Sequence, residues 1–171
     1  FGMAKGREVV REIVVSLLNL PPGADDDARS EALGHLLARH PELAKEEPFL
    51  RDDVGLPQAD GNAALYEAMD NATRQKGRAA AIVRLLEAAC GVSPVLLIVE
   101  DLHWADKVTL DHVAALTRAV ATLPAVLALT SRVAGDPLTA AWRASVQGSP
   151  LLTIDLGPLG AKDALAFAGG F

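Results

Sequence analysis

The sequence predicts a three-layer α/β domain, a parallel sheet between helices, with a mainly helical part over residues 1–92 and a strand–helix–strand part over 93–171. Three observations point there. The stretch Pro94 to Asp106 reads PVLLIVEDLHWAD, in which five apolar residues, Val95 to Val99, run directly into Glu100 and Asp101. A short unbroken apolar run with β-branched members is the pattern of a strand buried on both faces, as in a parallel sheet. One helix later a second such run, Ala125 to Thr130 (AVLALT), ends in Ser131-Arg132. Finally, half of the residues are hydrophobic but only 4% are aromatic, so the core must be built from Ala, Val, Leu and Ile. Helix-rich α/β proteins have that composition and disordered chains do not.

At 171 residues the chain is about one domain long. The net charge of −6, without a lysine or arginine block, argues against direct nucleic-acid binding, which needs a basic face to neutralise phosphates. The single cysteine, Cys90, excludes an internal disulfide and suits a reducing cytoplasm. No apolar run approaches the ~20 residues of a membrane span, and no signal peptide is recognisable, so a cytoplasmic location is expected. The sequon Asn71-Ala72-Thr73 is then accidental. The opening Phe1-Gly2-Met3 lacks an initiating methionine ahead of it and reads as a cut from something longer. It is reminiscent of a kinase activation segment, but the other kinase motifs are missing.

In chain order, Lys5 to Leu20 spaces Val9, Val10, Ile13, Val14, Leu17 and Leu18 along one helix face. Pro21-Pro22-Gly23 ends it. Asp25 to Asp27 supply an N-cap and an acidic first turn for a helix over Asp26 to Arg39, with Ala32, Leu33, Leu36 and Leu37 facing inward. Residues 41–60 mix prolines, glycines and acids without a sustained period and read as irregular, with at most a short helical turn. Helical residues dominate Asn62 to Cys90, as one helix or two joined at Gly77, with a stop at Gly91. The strand Val95 to Glu100 follows. Asp106 can cap a helix from Lys107 to Thr122 that turns Leu110, Val113, Leu116 and Val120 inward. After Ala125 to Thr130 come a helix over Leu138 to Val146, a third strand over Leu151 to Leu156 and a helix over Ala161 to Ala168. Strands alternating with helices through short connections argue for parallel crossovers.

Carboxylates at the C-terminal edge of a parallel strand sit where open α/β sheets bind ligands. Two adjacent acids there are costly to desolvate unless a cation, usually hydrated Mg²⁺, lies close by. An ordinary helix cap would account for such a pair equally well if it stood alone.

It does not stand alone. LLIVEDLHWAD, preceded by GRxxxLLEAACGVSPV and followed by LALTSR and LGPL, resembles the ATPase module of the STAND class. These signal-transduction P-loop ATPases occur in large bacterial proteins linked to nucleotide-cyclase or helix-turn-helix domains. The likeness covers the whole chain. It implies a P-loop NTPase-type fold with a helical insertion before the Walker B strand, ATP and Mg²⁺ as cofactors in the intact protein, and other domains of the same polypeptide as partners. Glu100 then matches the Walker B acid that holds Mg²⁺ through water, and Asp101 the acid that polarises the attacking water. Arg132 matches a sensor arginine on the γ-phosphate, with Thr130 and Ser131 orienting its loop. The order Glu then Asp reverses the common AAA-type order, which leaves the shorter side chain in the water-activating position and disfavours fast hydrolysis.

The remaining signature residues have plainer expectations. His103 reads as a surface or capping histidine, since no second His or Cys lies at ligand spacing. Trp104 reads as a packing anchor, Asp106 as an N-cap, and Cys90 as inert. Arg132 alone would pass for a solvated strand-end charge. No GxxxxGK(S/T) occurs, so the cradle and lysine for the β- and γ-phosphates are missing, and a lid would follow Phe171. The chain thus resembles the middle of the module, expected to bind ATP weakly or not at all by itself. A sheet lacking its first strand would leave an unpaired edge beside Glu100's strand, open to self-association. The alternative is a non-catalytic helical interaction domain with a degenerate nucleotide site.

Overall fold

A computed structural model of the chain describes residues 5–59 and 61–169; Phe1–Met3, read above as a cut start, lie outside them. The fold is mixed α/β and mostly helical, with one two-stranded parallel sheet among the described residues. Helix α1 (Lys5–Leu17) buries Val10, Ile13 and Val14 as its spacing predicts. It stops three residues before the expected Leu20, because Asn19 turns left-handed (φ 57°) and the amide of Leu20 closes on the Val15 carbonyl at 3.1 Å. Asparagine is among the few residues that tolerate this conformation. Helix α2 (Asp26–Arg39) begins where Asp25 accepts the Ala28 amide at 2.8 Å, and it buries Leu33 and Leu36.

Residues 41–60 are more ordered than their composition suggests. A 3₁₀ turn (Pro41–Lys45) leads into helix α3 (Glu47–Val54), which buries Leu50 and Val54 completely. Pro48 sits in the first turn, where its missing N–H costs nothing, and Gly55 ends the helix at φ 77°. The helical stretch after Asn62 divides not at Gly77 but at Met69–Asp70, between α4 (Ala63–Ala68) and α5 (Asn71–Cys90). Asp70 caps α5 by accepting the Thr73 amide at 2.6 Å.

Gly77 lies inside α5 for a packing reason. A Cβ there would come within 2.1 Å of Cε1 of Phe49, whose ring sits edge-on to Tyr66 with centroids 5.7 Å apart. In an open helix Gly→Ala gains about 1 kcal/mol. Here the displaced ring reverses the sign, since overpacking costs about 1–3 kcal/mol. Gly77→Ala is therefore expected to lower the thermal unfolding midpoint, and Gly77→Ala combined with Phe49→Leu to restore it. A single variant with a raised midpoint would show that the ring yields freely.

Strands β1 (Val95–Val99) and β2 (Ala125–Leu129) pair in parallel, Val95 against Ala125 through Val99 against Leu129, joined by helix α6 (Lys107–Val120). Asp106 caps α6 as expected, accepting the Thr109 amide at 2.8 Å. Leu97 and Val99 join one core with the inward faces of α1, α3, α5 and α6. The predicted burial of β1 on both faces does not hold. Leu96, Ile98 and Val126 are all more than half exposed, because the helices pack against a single face of the sheet.

Beyond β2, helix α7 (Ala140–Ser145) is shorter than Leu138 to Val146. Thr139 caps it, and the Trp142 indole fastens it to α6 by donating to the Leu110 carbonyl at 3.1 Å. The expected strand over Leu151 to Leu156 does not form. The segment is exposed throughout and lies on no strand edge, and an extended segment without a partner strand has no ladder to join. Helix α8 (Ala161–Ala168) follows with Leu165 and Phe167 exposed.

Candidate functional site at the end of strand β1

The chain leaves β1 at Glu100, which is exposed, and turns sharply at Asp101, which adopts a left-handed conformation (φ 57°, ψ 39°). A non-glycine residue held there costs about 1–2 kcal/mol, although aspartate is among the more tolerant types. Three hydrogen bonds to one residue hold the turn. The Thr130 amide donates to the Val99 carbonyl at 3.0 Å, continuing the strand pairing. The Asp101 amide donates to the Thr130 hydroxyl at 3.1 Å, and the Leu102 amide to the Thr130 carbonyl at 2.9 Å. The backbone of Asp101 is thereby fixed between two bonds to the end of the neighbouring strand. Its side chain remains 72% exposed.

The next three residues, Leu102–Trp104, form a single 3₁₀ turn that reverses the roles expected of the aromatic pair. Trp104, expected as an anchor, is half exposed. His103, expected at the surface, has a side chain only 7% exposed, tilted against the Trp104 ring with centroids 5.0 Å apart. Leu102 is the residue that the turn drives into the core, and the histidine beside it is covered in consequence. Both His103 ring nitrogens are buried without a hydrogen-bond partner, and Nδ1 lies 3.8 Å from Oδ1 of Asp101. That is an ion-pair separation but too long for a hydrogen bond.

Behind the turn is a cavity of about 90 Å³ lined by Val9, Val99, Glu100, Asp101, Trp104 and Thr109, among others. Leu102 and Ala105 complete a largely apolar lining, and the cavity is smaller than the roughly 300–1,000 Å³ of pockets that enclose organic ligands. Neither Val9 from α1 nor Thr109 from α6 was marked by any sequence motif.

Of the residues read from the sequence, the fold brings Glu100, Asp101 and Thr130 to one corner. Arg132 is exposed in irregular chain two residues past Thr130, and among the described residues it forms no hydrogen bond or ion pair with either acid. Ser131 turns its hydroxyl to the Arg132 carbonyl at 3.4 Å. Cys90 is buried, and burial raises its thiol pKa, which keeps it protonated and unreactive. Among the described residues no three His, Cys, Asp or Glu side chains are arranged to hold a metal ion directly. Two adjacent exposed carboxylates do fit a hard cation held through its water shell, the usual mode for Mg²⁺. Comparison with known proteins adds no relative: no protein-family model, curated protein or solved structure matches the chain.

Proposed function

We propose that this chain carries the metal- and water-handling half of a nucleotide site in an ATP-dependent regulatory switch of the P-loop type. The observation that carries the reading is the Thr130 clamp. It holds an acid in a strained turn at the C-terminal end of a parallel strand, beside a second exposed acid. A left-handed non-glycine residue at the C-terminal edge of a parallel strand, where open α/β sheets bind ligands, supports a functional reading of the turn. In this reading Glu100 holds Mg²⁺ through water, Asp101 orients and polarises the attacking water, and Arg132 swings from its exposed loop toward the γ-phosphate. Bound Mg²⁺ would offset the charge of the triphosphate. The phosphate cradle comes from outside this sequence, and slow hydrolysis drives rearrangement against other domains of the same polypeptide. The finer architecture, a three-layer sheet with helices on both faces, belongs to the same proposal: the bare Leu96, Ile98 and Val126 face is where the third layer would lie.

Calorimetry on the 171-residue chain is expected to show no tight Mg·ATP binding. In the intact polypeptide, Glu100→Gln is expected to lower turnover by roughly two orders of magnitude. Unchanged Mg·ATP binding and turnover in that variant would sink the role given to Glu100.

The second reading, a non-catalytic interaction domain, is favoured by the same uncovered sheet face together with the exposed Leu165 and Phe167 of α8. Self-association through this surface belongs to that reading. The two separate on one observation: whether GxxxxGK(S/T) precedes this segment in the same reading frame.

A further inference from the structure

We propose that His103 is a positioning residue for Asp101: its Nδ1–H is the hydrogen-bond donor that selects the orientation of the Asp101 carboxylate. The inference rests on the preceding reading for its consequence in catalysis, but not for its geometry.

A neutral imidazole always carries one N–H, and a buried donor left unmet costs about 1–3 kcal/mol. His103 bears that cost, because both of its ring nitrogens are enclosed without a partner and its side chain is more than nine-tenths buried. Asp101 Oδ1 lies 3.8 Å from Nδ1. Closing that gap to hydrogen-bond length requires a movement of about 1 Å. The two partners differ in freedom. The Asp101 backbone is clamped by Thr130, and the His103 ring is confined against Trp104. The exposed Asp101 side chain is therefore the free element, with two natural orientations, one facing solvent and one facing His103. In the second, one carboxylate oxygen is tied back by a charge-assisted hydrogen bond. The other oxygen is left aimed at the water or cation shell beside Glu100. This is the relation by which an outer-shell donor orders an inner carboxylate, and its loss typically costs 10–100-fold in activity.

The deciding measurement is made on this chain and needs no nucleotide. Long-range ¹H–¹⁵N spectra of the His103 ring are expected to show the proton on Nδ1, with a resonance that moves when Asp101 is replaced by Ala. A ring protonated on Nε2, or one indifferent to Asp101→Ala, overturns the proposal. In the intact polypeptide, His103→Leu is expected to lower kcat about 10–100-fold at little change in KM. His103→Asn, whose amide nitrogen occupies the Nδ1 position, should restore most of it, and His103→Gln, which mimics Nε2, should not. Equal loss in the Asn and Gln variants counts against positioning and for plain packing. The outcomes separate from those of the nucleotide reading. If Glu100→Gln leaves Mg·ATP turnover untouched while the His103 ring still reports on Asp101, the switch reading fails and the pairing stands. If turnover depends on Glu100 but the ring ignores Asp101, the reverse holds.

Discussion

Arg78→Met is expected to destabilise the fold by about 3–5 kcal/mol, the largest effect of any single substitution considered for this chain. Arg78 projects from α5 with 5% of its surface exposed, and its Nε donates to Asp53 Oδ1 of α3 at 2.5 Å. Asp53 is 1% exposed, and Asp52 Oδ2 lies a further 3.6 Å from the same nitrogen. One buried cation therefore holds two consecutive acids of the helix that fastens α1 to α5. The same acids bear on Tyr66, whose hydroxyl pKa is pushed up to about 12 by burial first and by the Asp52 carboxylate second, so the phenol stays neutral beside them. Methionine keeps most of the aliphatic volume and removes only the charge, leaving Asp53 ionised in the core. For a domain whose total stability lies in the usual range of about 5–15 kcal/mol, such a loss brings it close to unfolding. Urea denaturation measures it as a shift in midpoint at constant slope. Replacing both partners, Arg78→Met with Asp53→Leu, should recover most of the loss, since an apolar pair avoids the desolvation of two ions. A single variant within 0.5 kcal/mol of the parent, on the order of an ordinary surface change, would show that Asp53 takes up a proton or reaches solvent instead.

That cluster was invisible in the sequence, and the reason distinguishes what the chain declares from what it does not. The parallel pair was legible because Val95–Val99 and Ala125–Leu129 are apolar runs of strand length, and nothing local competes with that pattern. The caps at Asp25 and Asp106 are local as well: a carboxylate three residues ahead of an amide needs no tertiary information. The cap at Asp70 is of the same kind but is not legible inside a continuous helical stretch. Helix α3 had signals of this kind in Pro48 and Gly55, which bracket it, but acids and prolines on either side masked its short period. Contacts between distant segments left no mark. Phe49 reaches Gly77 across 28 positions, and Asp53 reaches Arg78 across 25. Gly77, where the sequence leaves open one helix or two joined, is a seat for a ring inside one helix. At the site, the acids and Thr130 were legible as strand ends, whereas the left-handed turn at Asp101 was not, because aspartate is common in conformations that do not need it. The exchange of roles between His103 and Trp104 follows from one turn of 3₁₀ helix, whose phase no periodicity argument fixes over three residues. The segment Leu151 to Leu156 shows the opposite failure: its alternation is that of a strand, but a strand is made by its neighbour's edge.

The second large effect is a loss of stability in acid centred on His112. This histidine lies on α6 at 1% exposure, and its Nδ1 is 2.7 Å from the Val108 carbonyl one turn back. A carbonyl only accepts, so Nδ1 carries the proton and Nε2 bears the lone pair, buried without a partner. A lone pair in an apolar core is tolerable, but a second N–H with a full charge is not. Burial accordingly drives the imidazole pKa below its ordinary value. The Val108 carbonyl opposes this, the Arg78 guanidinium reinforces it, and Asp111 and Asp106 pull weakly the other way. Because the folded pKa is depressed, the unfolded chain binds the proton first. The contribution of His112 is therefore fully present above the unfolded value of about 6.5 and declines as pH falls below it, by at most about 1.4 kcal/mol per unit. His112→Leu removes the titration while keeping similar volume. Wild type is expected to lose more stability than this variant between pH 7 and pH 5, whatever their difference at pH 7, since the carboxylates contribute to both slopes alike. Parallel curves would mean that Nε2 finds a partner or water when protonated. The consequence reaches the candidate site, because the cap of α6, Asp106, lies two residues beyond the Leu102–Trp104 turn, and α6 packs against β2, whose end supplies Thr130. Acid that loosens α6 therefore removes support both from the Asp101 clamp and from the core that α6 shares with α1 and α5.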